Sequence, residues 1–427
     1  MKTNTIHIKK NFLETVIYSL IVLLPVSLVS GPFLSDLSVS IISVIFIYLS
    51  FKKKLYFYYK NIFSKIFGIF FLILLLTSFF SLDPIISFKK TIFYFRFWIF
   101  ALAVWHISTV NKKLIQHLIL SFTIIFFILI VDGFVQFFFE KNILGWPIQG
   151  ASRLSSLFKD ELILGSYLSR LLPIYFGLLV LTNFDKKIYK YILFFIIFVG
   201  VEALIFMSGE RVAFFFINAS SLMLIITLKN YKSFRIFSII ASIILIIFLI
   251  NIYPQSTNRI FNKTFNQMGL SDKKNNSQIY IFSMEHQNHY TSAIRMFKDN
   301  IITGVGPRMF RHKCGEKKYN IFEGCSTHPH NTYVQLLAET GLIGLIFSLS
   351  IFFITIFYLI KHLVYKHIKK KLLFNDYQLC LLSAILISIW PFVPTGGIFN
   401  NWLNIIYFFP VGLFLNSIYN HKKSDYN

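Results

Sequence analysis

Charge is scarce in this 427-residue chain: Asp, Glu, Lys and Arg together make up 14%, and only 18 residues are acidic. A water-soluble domain usually carries about 25% charge, so a soluble globular class is excluded. The chain also has no P-loop, no Rossmann glycine fingerprint and no nucleophile elbow. It has no clear internal repeat and no matched pair of interrupted helices of the kind that marks inverted-repeat transporters. A cleavable signal peptide is not evident, because the first apolar run, Phe12 to Ser30, is too long for a signal core and lacks a small-residue cleavage site.

Apolar side chains fill the place of the missing charge. The chain is 56% hydrophobic, has 52 Phe residues and has a mean hydropathy of +0.64. One aqueous core cannot hide so many long apolar runs, so lipid must be the solvent for much of the surface. The formal net charge of +24 raises the possibility of a nucleic-acid partner. Position argues otherwise: the lysines cluster in short segments between apolar stretches, where they orient a chain in a bilayer. No nucleic-acid partner is expected.

A run of about 20 apolar residues spans the hydrocarbon core. The expected spans are 12–30, 33–51, 63–81, 91–108, 114–138, 162–182, 189–207, 212–228, 233–253, 341–361, 377–395 and 402–420, about twelve transmembrane helices in an all-α polytopic membrane protein. Basic residues recur in alternate connections. They are Lys2, Lys9 and Lys10; Lys52–Lys54 with Lys60; Lys112 and Lys113; Lys186, Lys187 and Lys190; Lys229, Lys232 and Arg235; Lys361, Lys366 and Lys369–Lys371; and Lys422 and Lys423. Lys89 and Lys90 are the main exception. The pattern predicts both termini in the cytoplasm and the alternate loops outside.

Three connections are then external: 139–161, the short one holding Arg211, and a polar segment running from Pro254 to Thr340. A connection that long is far beyond the usual length and is expected to fold or function. Residues 1–253 are read as helices one to nine, 254–340 as a periplasmic loop domain, and 341–427 as the last three helices.

Within these connections a few residues suit chemistry. His330 and Asn331 open a helical stretch on which Asn331, Gln335 and Glu339 recur every four residues as one polar stripe. A helix N-terminus favours anions, and an imidazole there is suited to move a proton. The plainer alternative is that His330 and Asn331 cap the helix and that Gly341 and Gly344 let helices approach closely.

Arg153 stands in an external loop, where its planar fork fits phosphate oxygens, or else it anchors to lipid headgroups. Arg170 lies about two turns inside its helix and is a functional candidate by position, or a partner for Glu202. Arg211, beside Glu210 in a tight turn, is either a functional charge or half of a salt bridge.

The stretch His330-Asn331-Thr332-Tyr333 through Leu337, Glu339, Gly341 and Gly344 resembles the signature of the O-antigen ligase family, which is related to O-antigen polymerases. Arg295 to Phe310, with Gly304-Val305-Gly306-Pro307, is similar to the glycine-containing stretch that precedes that signature. Ser152-Arg153-Leu154-Ser155-Ser156-Leu157-Phe158 and Gly209-Glu210-Arg211-Val212-Ala213 are similar to its two arginine elements. Glu210 and Val212 depart from the usual Ser and Gly. The motifs cover about residues 150 to 345.

The resemblance implies a GT-C-like glycosyltransferase of the bacterial inner membrane that works without a cofactor or metal. It would move a glycan from an undecaprenyl-diphosphate carrier to a hydroxyl of lipid A–core, with a growing glycan as the polymerase alternative. A transporter or flippase of lipid-linked glycans is the reading from a different class. On the transferase reading His330 is the catalytic residue, Arg153 and Arg211 bind the diphosphate, and His328, Asn331, Glu339 and Arg170 support them.

Cys314 and Cys325 lie in the external segment, where an oxidising compartment favours a disulfide over free thiols. Together with His286, His289, His328 and His330 they match no standard zinc framework, so no metal is expected.

Overall fold

Long runs of Phe, Ile and Leu leave each segment to satisfy its own backbone groups, and in lipid that dictates helices. The computed structural model describes residues 12–149, 153–182, 187–252, 258–270 and 279–424. Lys2, Lys9 and Lys10, Gly150–Ser152, Lys186 and Pro254 lie outside the described residues. Among the described residues no β-strand forms beyond two isolated bridges, Lys141 with Pro147 and Gln149 with Arg153.

Nine described helices are long and apolar enough to cross a membrane, and the chain is a multi-pass membrane protein. We number the principal helices α1 (Phe12–Val22), α2 (Pro32–Lys52), α3 (Ile62–Phe79), α4 (Pro84–Val110), α5 (Leu114–Phe139), α6 (Leu164–Leu181), α7 (Lys187–Met207), α8 (Arg211–Thr227), α9 (Lys232–Ile252), α10 (Met284–Asp299), α11 (Thr332–His367), α12 (Asp376–Ser388) and α13 (Asn401–Ser424). The helices α1, α8 and α12 are apolar but shorter than the other spans. The first expected span divides at Leu23, and a second short helix, Leu24–Val29, starts with Pro25 in its first turn.

One face of the bundle gathers the connection after α3, the α7–α8 turn, the α12–α13 connection and the segment between α9 and α11. Leu82 donates to Val305 O at 3.0 Å, Arg259 Nε to Gly209 O at 3.3 Å, and Thr395 N to His330 O at 2.8 Å. We call this the loop face.

The opposite face is tied by lysines and one aspartate. Lys366 Nζ donates to the carbonyls of Ile226, Thr227 and Leu228 at 2.8–3.0 Å, where a cation complements the end of α8. Asp376 accepts from the backbone N–H groups of Lys229 and Asn230 at 2.9 and 3.1 Å.

Two further expected helices are interrupted, one where a distant part of the chain passes it and one at its own prolines. The helix after His330 is two helices joined at Gly341, whose φ of 62° and ψ of −158° are not helical. The chain passing this break is Gly304-Val305-Gly306, with Val305 N bonded to Ala338 O at 2.9 Å and Gly306 N to Glu339 O at 3.0 Å. A Cβ on Gly304 would sit 2.5 Å from the Glu339 carbonyl carbon, so only glycine permits the approach.

The eleventh expected span, 377–395, is helical only to Ser388. Pro391 and Pro394 supply no N–H, and the chain continues as irregular backbone. Such backbone is tolerated at membrane depth where protein covers it. Here Tyr333 Oη donates to Ile389 O at 2.6 Å, and Gln335 Oε1 accepts from Ile398 N at 3.0 Å.

Candidate functional site

The site is built where broken helices leave polar backbone at the loop face. Asn331 caps α11, its Oδ1 accepting from the N–H groups of Tyr333 and Val334 at 2.9 and 3.0 Å. Its Nδ2 donates to Pro391 O and Val393 O at 2.9 and 3.1 Å, which ties the cap to the irregular segment. The capping alternative therefore holds for Asn331 but not for His330. His330 has a left-handed φ of 55°, and its Nε2 lies 3.1 Å from Ser326 Oγ. Sparse backbone conformations of this kind collect at functional sites.

Four imidazoles converge there. The His330 ring centroid is 4.3 Å from that of His328, 5.1 Å from His289 and 5.8 Å from His286. Burial lowers the pKa of His330, with the nearby His289 charge adding to it. Burial and His330 push His328 and His286 down to about 4. All four are therefore neutral near pH 7, the form that accepts a proton. Among the described residues no group of three or more His, Cys, Asp or Glu is placed to hold a metal ion.

Next to the imidazoles lies a group of guanidiniums. Arg211 opens α8 and donates to Gln267 Oε1 at 2.6 Å. Arg259 sits on the Gly209 turn, and a Cβ there would lie 2.7 Å from its Cδ. Burial lowers the Arg153 pKa, and Arg259 and Arg211 are near enough to lower it further. Arg211 also acts on His286, so Arg153, Arg211, His286 and His330 form one connected neighbourhood. Arg153 Nε, His289 Nδ1 and His328 Nε2 are buried without a hydrogen-bond partner among the described residues. Buried polar atoms are rarely left so.

Glu210 does not pair with Arg211. Its carboxylate accepts from Gly165 N at 2.6 Å and Ser166 N at 3.0 Å, which holds the α7–α8 turn against the start of α6. Enclosure drives it up to about 7, against the pull of those two N–H groups, Arg153 and Arg170.

Arg170 does not meet Glu202 either. It bonds Ser166 and stacks over Phe216, with its centre 4.7 Å from the ring. Glu202 pairs instead with Arg235, which the charge pattern had placed in a connection but which is buried within α9.

Glu339 Oε1 accepts from Phe310 N at 3.0 Å and its Oε2 from Gln335 Nε2 at 3.0 Å, so its contacts are with the Gly304–Phe310 turn. Cys314 and Cys325 are joined as a disulfide, with Cα atoms 5.0 Å apart. The bridge encloses the loop leading to Ser326.

Several contributors carried little sequence signal. Arg259 was one arginine among many polar residues of the long segment. Asp132 and Gln136 were more legible, being polar and one helical turn apart in the apolar α5. Asp132 accepts from Ile143 N at 2.9 Å and Ser156 Oγ at 2.6 Å, and Gln136 Oε1 accepts from the N–H groups of Ser155 and Ser156. These bonds hold the loop that presents Arg153.

Fold and site together define a multi-pass membrane protein with neutral imidazoles beside fixed guanidiniums at one face of the bundle. Residues 174–349 match the family described as O-antigen ligase. The match includes Arg211, Arg259 and all four histidines, and leaves Arg153 and Arg170 outside it. A comparison with curated proteins found no match.

Proposed function

We propose that this protein is a membrane glycosyltransferase that moves a glycan from undecaprenyl diphosphate to a sugar hydroxyl of lipid A–core at the periplasmic face of the inner membrane. The observation that carries the reading is that neutral imidazoles lie within the electrostatic reach of an arginine group that has more cations than carboxylates. A lipid-borne donor must be met at the membrane surface, and its diphosphate needs fixed positive charge.

In the step proposed, the acceptor oxygen attacks the anomeric carbon of the lipid-linked glycan. The bond from that carbon to the diphosphate oxygen breaks, and undecaprenyl diphosphate leaves with the electron pair. Arg153, Arg211 and Arg259 take up the charge that develops on the leaving group through charge-assisted bonds. His330, neutral and held by Ser326, takes the hydroxyl proton. Asn331 and His328 fix its backbone and ring face. Glu339 and Gln335 brace the helix break, and Arg170 lies behind the α6 start that Glu210 joins to the arginine turn. The guanidiniums supply the charge that a metal supplies elsewhere, so chelators are expected to leave turnover unchanged.

Deletion in the native host followed by analysis of surface glycan tests the reading. Finished polymer left on the lipid carrier, rescued by the wild-type chain and not by His330→Ala, supports a ligase. Single capped repeat units would assign polymerisation instead. An unchanged surface glycan sinks both.

A further inference from the structure

We infer that a second anion site lies on the other flank of the imidazoles, formed by Lys90, Arg308 and Arg311 with Asn401, and that it takes the phosphate of a membrane-embedded lipid. Only the choice of which lipid rests on the transferase reading.

Lys89 and Lys90 broke the orientation pattern of the basic residues, and the structure places them at the loop face. The start of α4 is stitched to the glycine turn: Leu82 N donates to Val305 O at 3.0 Å and Ser87 Oγ to Pro307 O at 2.9 Å. This holds Lys90 near Arg308, Arg311 and Arg96. The acidic neighbour of Lys90 is Asp36, already bound by Arg96 at 2.6 Å. Glu339, near Arg308 and Arg311, is enclosed in the helix break. Cations therefore outnumber carboxylates, and like charges held this close repel unless an anion joins them.

Lys90 opens on a depression whose lining includes Lys89, Phe93, Arg96, Phe97 and Asn401, with Arg308 and Arg311 on the neighbouring glycine turn. Lys90 Nζ lies 3.4 Å from Asn401 Oδ1. The Phe93 ring is exposed on the bundle surface, so cations rim a site with an aromatic side. A phosphate carried on acyl chains fits both parts, with the phosphate on the cations and a chain along Phe93.

The site also adjoins the chemistry. Arg311 acts on His328 and donates to Thr327 O at 3.3 Å. A Cβ on Gly397, four residues before Asn401, would lie 3.3 Å from the His328 ring. Two cationic groups thus flank the imidazoles, as a reaction joining two anionic lipids requires.

The test uses the full chain in nanodiscs, with lipid retention read by native mass spectrometry. The probes are diphosphoryl lipid A, phosphatidylglycerol and diacylglycerol, the last without phosphate. Lys90→Gln and Arg308→Gln should each weaken retention of lipid A about 10–100-fold, the worth of one charge-assisted bond. Lys90→Arg should restore it, and diacylglycerol should not respond. Loss confined to lipid A supports the site and names a glycolipid, whereas equal loss of phosphatidylglycerol supports it as a site for lipid phosphate in general. Wild-type retention of both phospholipids by the double glutamine variant overturns it. Retention is measured without turnover, so failure of the transferase reading leaves this result intact.

Discussion

Arg235 and the loop-face Arg153, Arg211 and Arg259 are all partly or wholly withdrawn from water, yet of these only Arg235 has a carboxylate partner among the described residues. Arg235 in α9 is 1% exposed; it pairs with Glu202, bonds Ser221 and Ser238, and lies over the Phe198 ring. At the loop face Arg153 and Arg259 share the field of Glu210, whose oxygens already accept two backbone N–H groups, and Arg211 lies near Arg259. A buried cation with a complete set of partners is part of the bundle's structure. Cations held near one another with too few partners cost stability, and that cost is understandable where an anionic substrate is to be bound.

The contrast can be broken in order of expected effect. His330→Ala should lower glycan transfer by about 10²–10⁴-fold in a reconstituted assay, with insertion unchanged. Near-normal transfer would remove the imidazole from the chemistry. Arg235→Ala should cost about 3–5 kcal/mol of stability, because it leaves Glu202 charged and alone. Arg211→Ala should cost less than about 1 kcal/mol in the same unfolding measurement while abolishing transfer. Equal destabilisation by the two would erase the distinction drawn here.

Arg211→Lys should keep the charge and lose the fork, lowering transfer about 10–100-fold, the worth of a charge-assisted bond. A separate effect is on pH dependence. His286 and His328, held down to about 4, keep fewer protons in the folded than in the unfolded chain below about pH 6.5. Stability should therefore be full above that pH and fall as pH drops toward 4. His286→Ala should flatten the fall, and a melting curve that is level over this window in wild-type protein contradicts the burial of these rings.

Legibility followed the range of the interaction. The spans at Leu114–Phe139 and Lys232–Ile252 could be read directly, because their apolar runs report only which solvent surrounds them. His330 and Arg211 stood out because imidazole and guanidinium are uncommon at such positions. The break at Gly341 was not legible, since the residue that permits it acts through Gly304, a distant part of the chain. Pro391 and Pro394 did carry a local signal against a full last turn of α12, but hydropathy alone runs straight through them.

By itself the sequence determined that the chain lives in a bilayer, roughly where it crosses, and which residue types are available for acid–base and anion chemistry. Hydropathy and residue type are properties of short segments, so no fold is needed to read them. Only the tertiary structure decided that Arg235 rather than Arg170 takes Glu202, that Arg259 joins Arg153 and Arg211, and that four histidines from two segments share one place. Those choices turn on separations of a few ångströms between groups far apart in the chain, and side chains long enough to reach several partners are assigned by packing alone.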